Sequence, residues 1–432
     1  MNPNSILLFE PPSVNNLYPF SILHCSWEVR TGAFRLYEKL QNLYPQSRMI
    51  YKGREVHLCS FLARFPQSDQ QMKRENLLVF NSSVLPTTVL KEEMEGKYAE
   101  FIKEKGEKAV IFFTSISYNI QKPFAFYIPE KEQVNPIDFD KEYLPAILNN
   151  FPTSFERIEI SNKYIKNLEY LWNPIEFNSL AIKDDFQFFQ NEANLDELTA
   201  NGVHFVNKSN IKICKNIKIA PGVVIDAEEG PVIIDENTRI MANAYLQGPL
   251  YVGKNSLVKV CAKIYKDSSF GEFCKVGGEV ENSIIHSYSN KQHDGFLGHS
   301  YIGEWVNLGA DTNTSDLKNT YGEIKVMMED FEINTGRMFL GLLCGDHTKS
   351  SINAMFTTGT IAGICGIIVR DWFMPNFIKS FSWGGKSNSP IYHLEKAIEV
   401  ARIVMARRNK KLLPEEEELI KKEYDRISKK KL

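Results

Sequence analysis

"IDENTRIMANAYLQGPLYVGKNSLVKVCAKIYKDSSFGEFCKV", residues 234–276, carries a large apolar residue at every sixth position. Ile234, Ile240, Leu246, Val252, Val258, Ile264, Phe270 and Val276 all fall on that step. Upstream, Ile213, Ile219 and Ile225 keep the same interval, offset from Ile234 by an insertion within "DAEEGPVI". Downstream the phase returns at Ile302 and Leu308, and the same step predicts inward residues at Met355, Ile361 and Ile367. The next residue is often small, as in Gly253, Gly271, Gly277, Gly303, Gly309 and Ala362.

A period of six matches neither a helix of 3.6 residues per turn nor simple strand alternation. It matches a chain that turns a corner every six residues. Three such segments close a triangular coil, and coils stack at about the 4.8 Å spacing of neighbouring strands. The aliphatic fills the prism axis, and the small residue lets the backbone bend beside it. Residues 196–375 therefore read as a left-handed parallel β-helix of hexapeptide repeats. A β-sandwich would instead show period-two strands between turn clusters. The rhythm breaks at 281–301 and at 310–342, which predicts loops leaving the prism on a binding side. Stepping back from Met355 puts Lys349 at an inward slot, so either the register slips there or the lysine serves a site.

Residues 1–195 alternate strand-like runs ("SILLF", "NLLVF", "AVIFFT") with helical ones ("AFRLYEKLQNLY", "EEMEGKYAEFIKEKG"). That pattern predicts an α/β domain with a largely parallel sheet. Residues 376–432 read as a helical tail, with the amphipathic "PIYHLEKAIEVARIVMARRNKK" and the acidic "EEEELIKKEYDR".

A net charge of −2 gives no electrostatic reason to expect a nucleic acid or an anionic membrane as partner. The seven cysteines are an odd, scattered set without C-x-x-C, so neither a disulfide framework nor a zinc site is signalled. No apolar run is long enough to span a bilayer, and a cytoplasmic location is expected.

The segment "SNKQHDGFLGHSYIGEWVNLGADTNT" (289–314) sets His293 and His299 among glycines. By itself a loop histidine reads first as a ring bonded to backbone and only second as an acid–base group.

"HDGFLGHSYIGEWVNLGADT" resembles the acetyltransferase half of the GlmU family, whose members join glucosamine-1-phosphate acetylation to uridylyl transfer. The matching residues are His293, Phe296, Leu297, Gly298, Ile302, Gly303, Asn307, Gly309, Ala310 and Thr312. "KVGGEVENSII", "NKQHDGFLG" and "LCGDHTKSSINAMFTTGT" resemble a divergent GlmU-like branch of bacteria and archaea. The resemblance implies acetyl-CoA as donor, a homotrimer, and His293 as general base. An amine protonated at neutral pH must lose a proton before it attacks a thioester, and an imidazole titrates in the right range. Lys291 is implied to hold the sugar phosphate, and Phe296, Asn307 and Asp316 to contact substrate. His347 and Lys349 are placed near the coenzyme, a satisfied turn histidine being the other reading of His347. His299 falls where the family is variable and reads as structural. GlmU proper has Asn-Tyr where this chain has Asp316 and Leu317.

"LYPFSILHCSWEVRTGAFRLYEKL" (17–40) resembles the sugar-nucleotidyltransferase domain of the same branch. The resemblance makes Arg30, Lys39 and Asn81 nucleotide-binding residues, with Mg2+ required if the domain turns over. The other reading puts Arg30 and Lys39 on a solvated helix face. The chain departs from the branch at His24, Cys25, Ser82, Ser83 and Asn173, and "FEPPSVNNLYP" has no glycine where a phosphate loop belongs. Phosphoryl chemistry needs cations and metal-holding carboxylates around the phosphates. The expected reading is a bifunctional enzyme acting on sugar phosphates and nucleotides. The alternatives are a first domain that only binds nucleotide sugar, and a β-helix scaffold without chemistry.

Overall fold

The computed structural model describes residues 1–66, 70–117, 120–132, 155–369, 374–384 and 389–429. They form two compact units. The first comprises residues 1–16, 24–29 and 34–169, and the second 17–23, 30–33 and 170–432. The units divide at 169/170, upstream of the 195/196 boundary read from the sequence, and two short N-terminal segments count with the second unit.

The first unit is built on a six-stranded sheet in the order Arg48–Lys52, Ser5–Phe9, Leu77–Asn81, Ile120–Ile128, Val110–Ser117, Glu156–Glu159. Ser5–Phe9 runs parallel to both of its neighbours, whereas Ile120–Ile128 is antiparallel to both of its own. Five of the six strands run the same way, so the sheet is largely parallel, with Ile120–Ile128 its one antiparallel strand. The cause is local: Val110–Ser117 and Ile120–Ile128 are consecutive strands joined by a short connection, and such a hairpin can only pair antiparallel. Leu7, Phe9, Ile50, Val79, Ile111 and Phe126 form a core against the sheet. The helix Thr88–Lys105 starts at Thr87, whose hydroxyl accepts the Leu90 N–H at 3.2 Å, and stops at Gly106, whose φ of 76° few other residues adopt.

The second unit is a parallel β-helix. Its strands stack into a nine-stranded, a six-stranded and a five-stranded sheet, one for each face of the prism, and two-stranded pairs extend the last two faces. Register shows why the hexad step works. On the nine-stranded face Ile213, Ile234, Val252, Phe270, Ile285, Ile302, Cys344, Ala362 and Ile378 are successive partners, and all lie in one buried core. Each column of aliphatics is a continuous apolar rod that only stacking can bury.

Corners are made by residues in the left-handed region. Asn216, Asn237 and Asn255 begin one corner column, as expected for a side chain that tolerates positive φ. Higher up, the same column carries Phe273, Tyr288, Trp305 and His347, all at positive φ. Bulky residues are rarely held there. Here their rings stack from coil to coil, at centroid distances of 5.3, 4.2 and 6.2 Å.

Two expectations about the repeat are corrected. The coil does not leave the prism at 281–301. Glu279–Glu281, Ile284–Ile285, Asn290–Lys291, Phe296–Gly298 and Tyr301–Ile302 all pair with the rungs below. The steps between inward residues merely shorten, from Val276 to Val280 and then to Ile285. Past the second interruption the phase is one residue later than expected. Met355 pairs with Asn313 and is 37% exposed, whereas Phe356 pairs with Thr314 and is 2% exposed. The inward residues are Phe356, Ala362 and Ile368, so Ser350, not Lys349, takes the inward slot. The excursion 315–341, with its antiparallel hairpin Lys325–Met328 and Phe331–Asn334, breaks the count across which the phase was carried.

The tail helices Leu394–Ala406 and Pro414–Lys429 belong to this unit. Leu419, Ile420 and Ile427 are buried, Tyr424 meets Phe381 edge-on at 5.1 Å, and Ser380 donates to Glu423 at 2.6 Å. The last helix thus packs on the end of the coil.

Candidate functional site

The residues singled out from Lys291 to His299 follow part of one coil around the prism. Lys291 ends one face, His293 stands at the corner that follows, Phe296–Gly298 is the strand of the next face, and His299 turns the corner beyond it. Lys291 is the register partner of Val276, so its side chain enters the prism instead of facing solvent, and it is 2% exposed. Its ammonium donates to the carbonyls of Gly277 at 3.1 Å, His293 at 2.5 Å and Asp294 at 3.3 Å. Burial lowers it to about 8, against the opposing pull of Asp294 and Asp311. The phosphate-holding role expected of Lys291 does not match this position. The lysine binds the carbonyls of the turn that displays His293. His293 is exposed, and among the described residues its ring makes no hydrogen bond.

At the far end of the strand, the His299 ring and Asp316 form a pair, Nδ1 to Oδ2 2.8 Å. The ring stacks on Phe339 at 5.0 Å. Gly298 makes this possible. A Cβ there would lie 2.2 Å from Asp316 Oδ2 and 2.6 Å from Phe296 Cζ. Asp316, expected to contact substrate directly, is thus engaged by a histidine that was read as structural. The sequence signal for this pair is its spacing. His299 and Asp316 are 17 residues apart, and His286 and Glu304, paired at 2.9 Å, are 18 apart. Those separations are one coil, so a histidine and an acid at that distance face each other on neighbouring rungs.

Asn307, His347 and Lys349 lie elsewhere on the prism. Asn307 bridges Asn290 and Lys349 on the face before the His293 corner, and its Oδ1 accepts from Asn290 at 3.4 Å. His347 is buried in the aromatic corner beside Trp305. Lys349 donates to the His347 carbonyl at 2.6 Å, and burial lowers its ammonium. The strand Phe296–Gly298 thus runs between the His293 corner and the corner of His299 and Asp316, whereas Asn307, His347 and Lys349 lie off that face.

In the first unit, ligands of open α/β sheets bind beyond the carboxyl ends of the strands. Phe9 and Asn81 are adjacent there. Asn81 Oδ1 accepts the Ser83 N–H at 2.9 Å, and Ser82 Oγ donates to the Phe9 carbonyl at 2.7 Å. Glu10 is bound by Arg54 at 3.1 Å and by the Ser26 N–H at 2.9 Å. Glu28 is bound by Arg64 at 2.6 Å and His24 at 3.1 Å. Burial raises the Glu28 carboxyl, but Arg64 and His24 outweigh it and hold it well below the usual carboxylate range. Lys39 is buried on the helix Leu36–Leu43, its ammonium 5.9 Å above the Phe34 ring. Arg30 belongs to the second unit, where its guanidinium pairs with Glu272 at 3.0 Å. The structure therefore does not gather Arg30, Lys39 and Asn81 around one phosphate site within the first unit.

Residues 6–194 match the family described as sugar nucleotidyl transferase. A bifunctional sugar-1-phosphate nucleotidylyltransferase/acetyltransferase of Sulfurisphaera tokodaii is 30% identical over 198 residues, 44% of this chain and 41% of that one. A bifunctional GlmU protein of Methanococcus aeolicus is 30% identical over 240 residues, 52% of this chain and 57% of that one. The uncharacterized acetyltransferase YaiX of Escherichia coli K12 is 31% identical over 156 residues, 36% of this chain and 67% of that one. The chain belongs to the GlmU-like family. It spans about half the length of the two bifunctional relatives it matches. In this GlmU-like chain no helix among the described residues is long and apolar enough to cross a membrane.

Proposed function

We propose that this chain is a cytoplasmic, bifunctional enzyme of nucleotide-sugar biosynthesis. Its β-helix N-acetylates an amino-sugar-1-phosphate, glucosamine-1-phosphate, with acetyl-CoA. Its α/β unit transfers a nucleotidyl group to a sugar-1-phosphate, towards UDP-N-acetylglucosamine. The observation that carries the reading is the exposed His293 at a corner of a hexapeptide β-helix, on a turn held by Lys291 from inside.

The chemistry follows from that display. The sugar ammonium has no lone pair until a proton leaves it, and His293 removes that proton. The freed amine attacks the thioester carbonyl, a C–N bond forms, the C–S bond breaks, and the thiolate departs with a proton. No covalent acyl-enzyme is needed, since the amine is the nucleophile. Backbone N–H groups of the glycine-rich turn are the candidate donors to the carbonyl oxygen as it gains charge.

A homotrimer is supported by apolar surface. Val260 is 51% exposed and Ile352 66%, each one residue before a corner of the column that also carries Asp311. Tyr321 and Phe331 on the excursion are 68% and 57% exposed. In such an assembly Asn307 and Lys349 of one copy serve the His293 face of another.

For the α/β unit a second reading has an observation in its favour. Glu10 and Glu28 are engaged by Arg54 and Arg64, so these carboxylates do not fit a divalent cation. A unit that binds nucleotide sugar without turning it over suits this arrangement. Thiol release from acetyl-CoA with glucosamine-1-phosphate tests the first activity. Pyrophosphate release from a nucleoside triphosphate and sugar-1-phosphate, with and without Mg2+, tests the second. No thiol release with any amino-sugar phosphate overturns the reading of the β-helix.

A further inference from the structure

Acetyl transfer from a thioester to an ammonium takes two protons from the nitrogen. The first must leave before attack, and the second leaves as the C–N bond forms. One proton ends on the departing sulfur and the other in water. A single exposed imidazole at His293 accounts for one of these transfers. The corner at the other end of the strand Phe296–Gly298 carries a second imidazole that is better held.

We propose that the His299–Asp316 pair is the second acid–base group of this site, with Asp316 as its positioning residue. Nε2 of His299 takes the proton from the attacking nitrogen and passes it to the sulfur as the C–S bond breaks, so the pair ends as it began. The inference rests on the acetyl-transfer reading above.

The geometry is that of an oriented base. Asp316 Oδ2 lies 2.8 Å from Nδ1, so the carboxylate accepts the Nδ1–H and leaves the Nε2 lone pair outward. Phe339 covers one side of the ring. The backbone at His299 sits at a φ of 42°, and it is fixed on both sides. Its N–H donates to the Glu281 carbonyl at 3.2 Å, and its own carbonyl accepts the Gly341 N–H at 2.9 Å. Left-handed backbone at a non-glycine residue persists where surrounding contacts enforce it.

A comparison inside the same unit separates this pair from a structural one. His286 pairs with Glu304 in the same way, but its side chain is 0% exposed and sealed against solvent. His299 and Asp316 have side chains 19% and 15% exposed, enough to meet a ligand. The carboxylate bonded to the His299 ring is that of Asp316.

The test is steady-state acetyl transfer with acetyl-CoA and glucosamine-1-phosphate by the full chain. His299→Ala is expected to lose kcat by about 10²–10⁴-fold, with KM for the acceptor changed less than about 3-fold. Added imidazole should restore part of that rate, which repair of a merely structural defect would not do. Asp316→Asn keeps the shape and removes the charge, so it covers the case in which His299→Ala fails to fold. It should lose about 10²-fold in kcat, and Asp316→Glu should recover most of it. Parental kcat in folded His299→Ala or Asp316→Asn, or a loss confined to KM, overturns the proposal while leaving acetyl transfer standing. A parental chain inert with every amino-sugar phosphate overturns the acetyl-transfer reading itself.

Discussion

Val276 and Lys291 are register partners on neighbouring rungs, and both point into the prism. One is an aliphatic of the core and the other an ammonium bonded to three backbone carbonyls. A polar group inside an apolar rod lowers stability unless its partners compensate. Lys291 meets that condition by holding the turn that carries His293.

The first prediction follows from this burial. The Lys291 ammonium drops from the ordinary 10.5 to about 8 in the folded chain. Between those values the unfolded chain holds a proton that the folded chain has released, so folding grows more favourable as pH rises. The penalty is full below about pH 8 and gone above about pH 10.5. Lys291→Met removes this titration. The stability difference between parent and variant should shift in the parent's favour by on the order of 2–3 kcal/mol from pH 7 to pH 10.5. Urea unfolding at both pH values measures it, and a flat difference means the ammonium keeps its proton throughout.

Gly298→Ala places a methyl group against the Asp316 carboxylate and the Phe296 ring. Neither neighbour can move far, because one is bonded to His299 and the other lies on the strand. The variant should lose about 1–3 kcal/mol, the usual cost of overpacking, and acetyl transfer should fall with it. An unchanged melting temperature would mean that Asp316 swings away freely.

Ile352→Glu and Val260→Glu should break self-association. Each puts a charge on a corner whose exposed apolar side chain needs cover. Light scattering should find the parent at three times the monomer mass and the variants at one. A parent that stays monomeric at micromolar concentration removes the trimer.

How much of this could be read from the sequence depended on periodicity. The β-helix was legible because Ile213 to Ile225 and Ile234 to Val276 keep one six-residue step, which a period-two sandwich does not explain. The phase at Met355 is not legible in the sequence, because the excursion 315–341 carries no step to count by. His293 was legible through its motif. The His299–Asp316 pair was not, because a contact between rungs lies in coil arithmetic rather than in any local motif. Lys291 looked like a surface cation because nothing near it in sequence says that its slot matches Val276. Nor does the sequence of the first unit reveal that Arg54 and Arg64 are taken by Glu10 and Glu28, whose pairing is set by tertiary structure alone.

That pairing motivates the fourth prediction. Nucleotidyl transfer needs cations free to meet a triphosphate. With Arg54 and Arg64 committed to buried carboxylates, Mg2+-dependent pyrophosphate release should run far below the roughly 10 per second of a typical enzyme. Isothermal titration should still detect nucleotide-sugar binding. A turnover of ordinary size would mean that the ion pairs open when substrate arrives.

The last prediction concerns His293. Its ring is exposed and supports no core, so His293→Ala should keep the assembly and the melting temperature of the parent. Acetyl transfer should fall by about 10²–10⁴-fold, the usual worth of a positioned general base. The residual rate should rise with pH, because free amine then replaces the missing base. His347→Ala should act differently. Its ring is buried beside Trp305 in a strained corner, so removing it opens a cavity and lowers stability before it touches chemistry. A folded His347→Ala that has lost acetyl transfer, beside a His293→Ala that acetylates at the parental rate, would move the base from the exposed corner to the aromatic one.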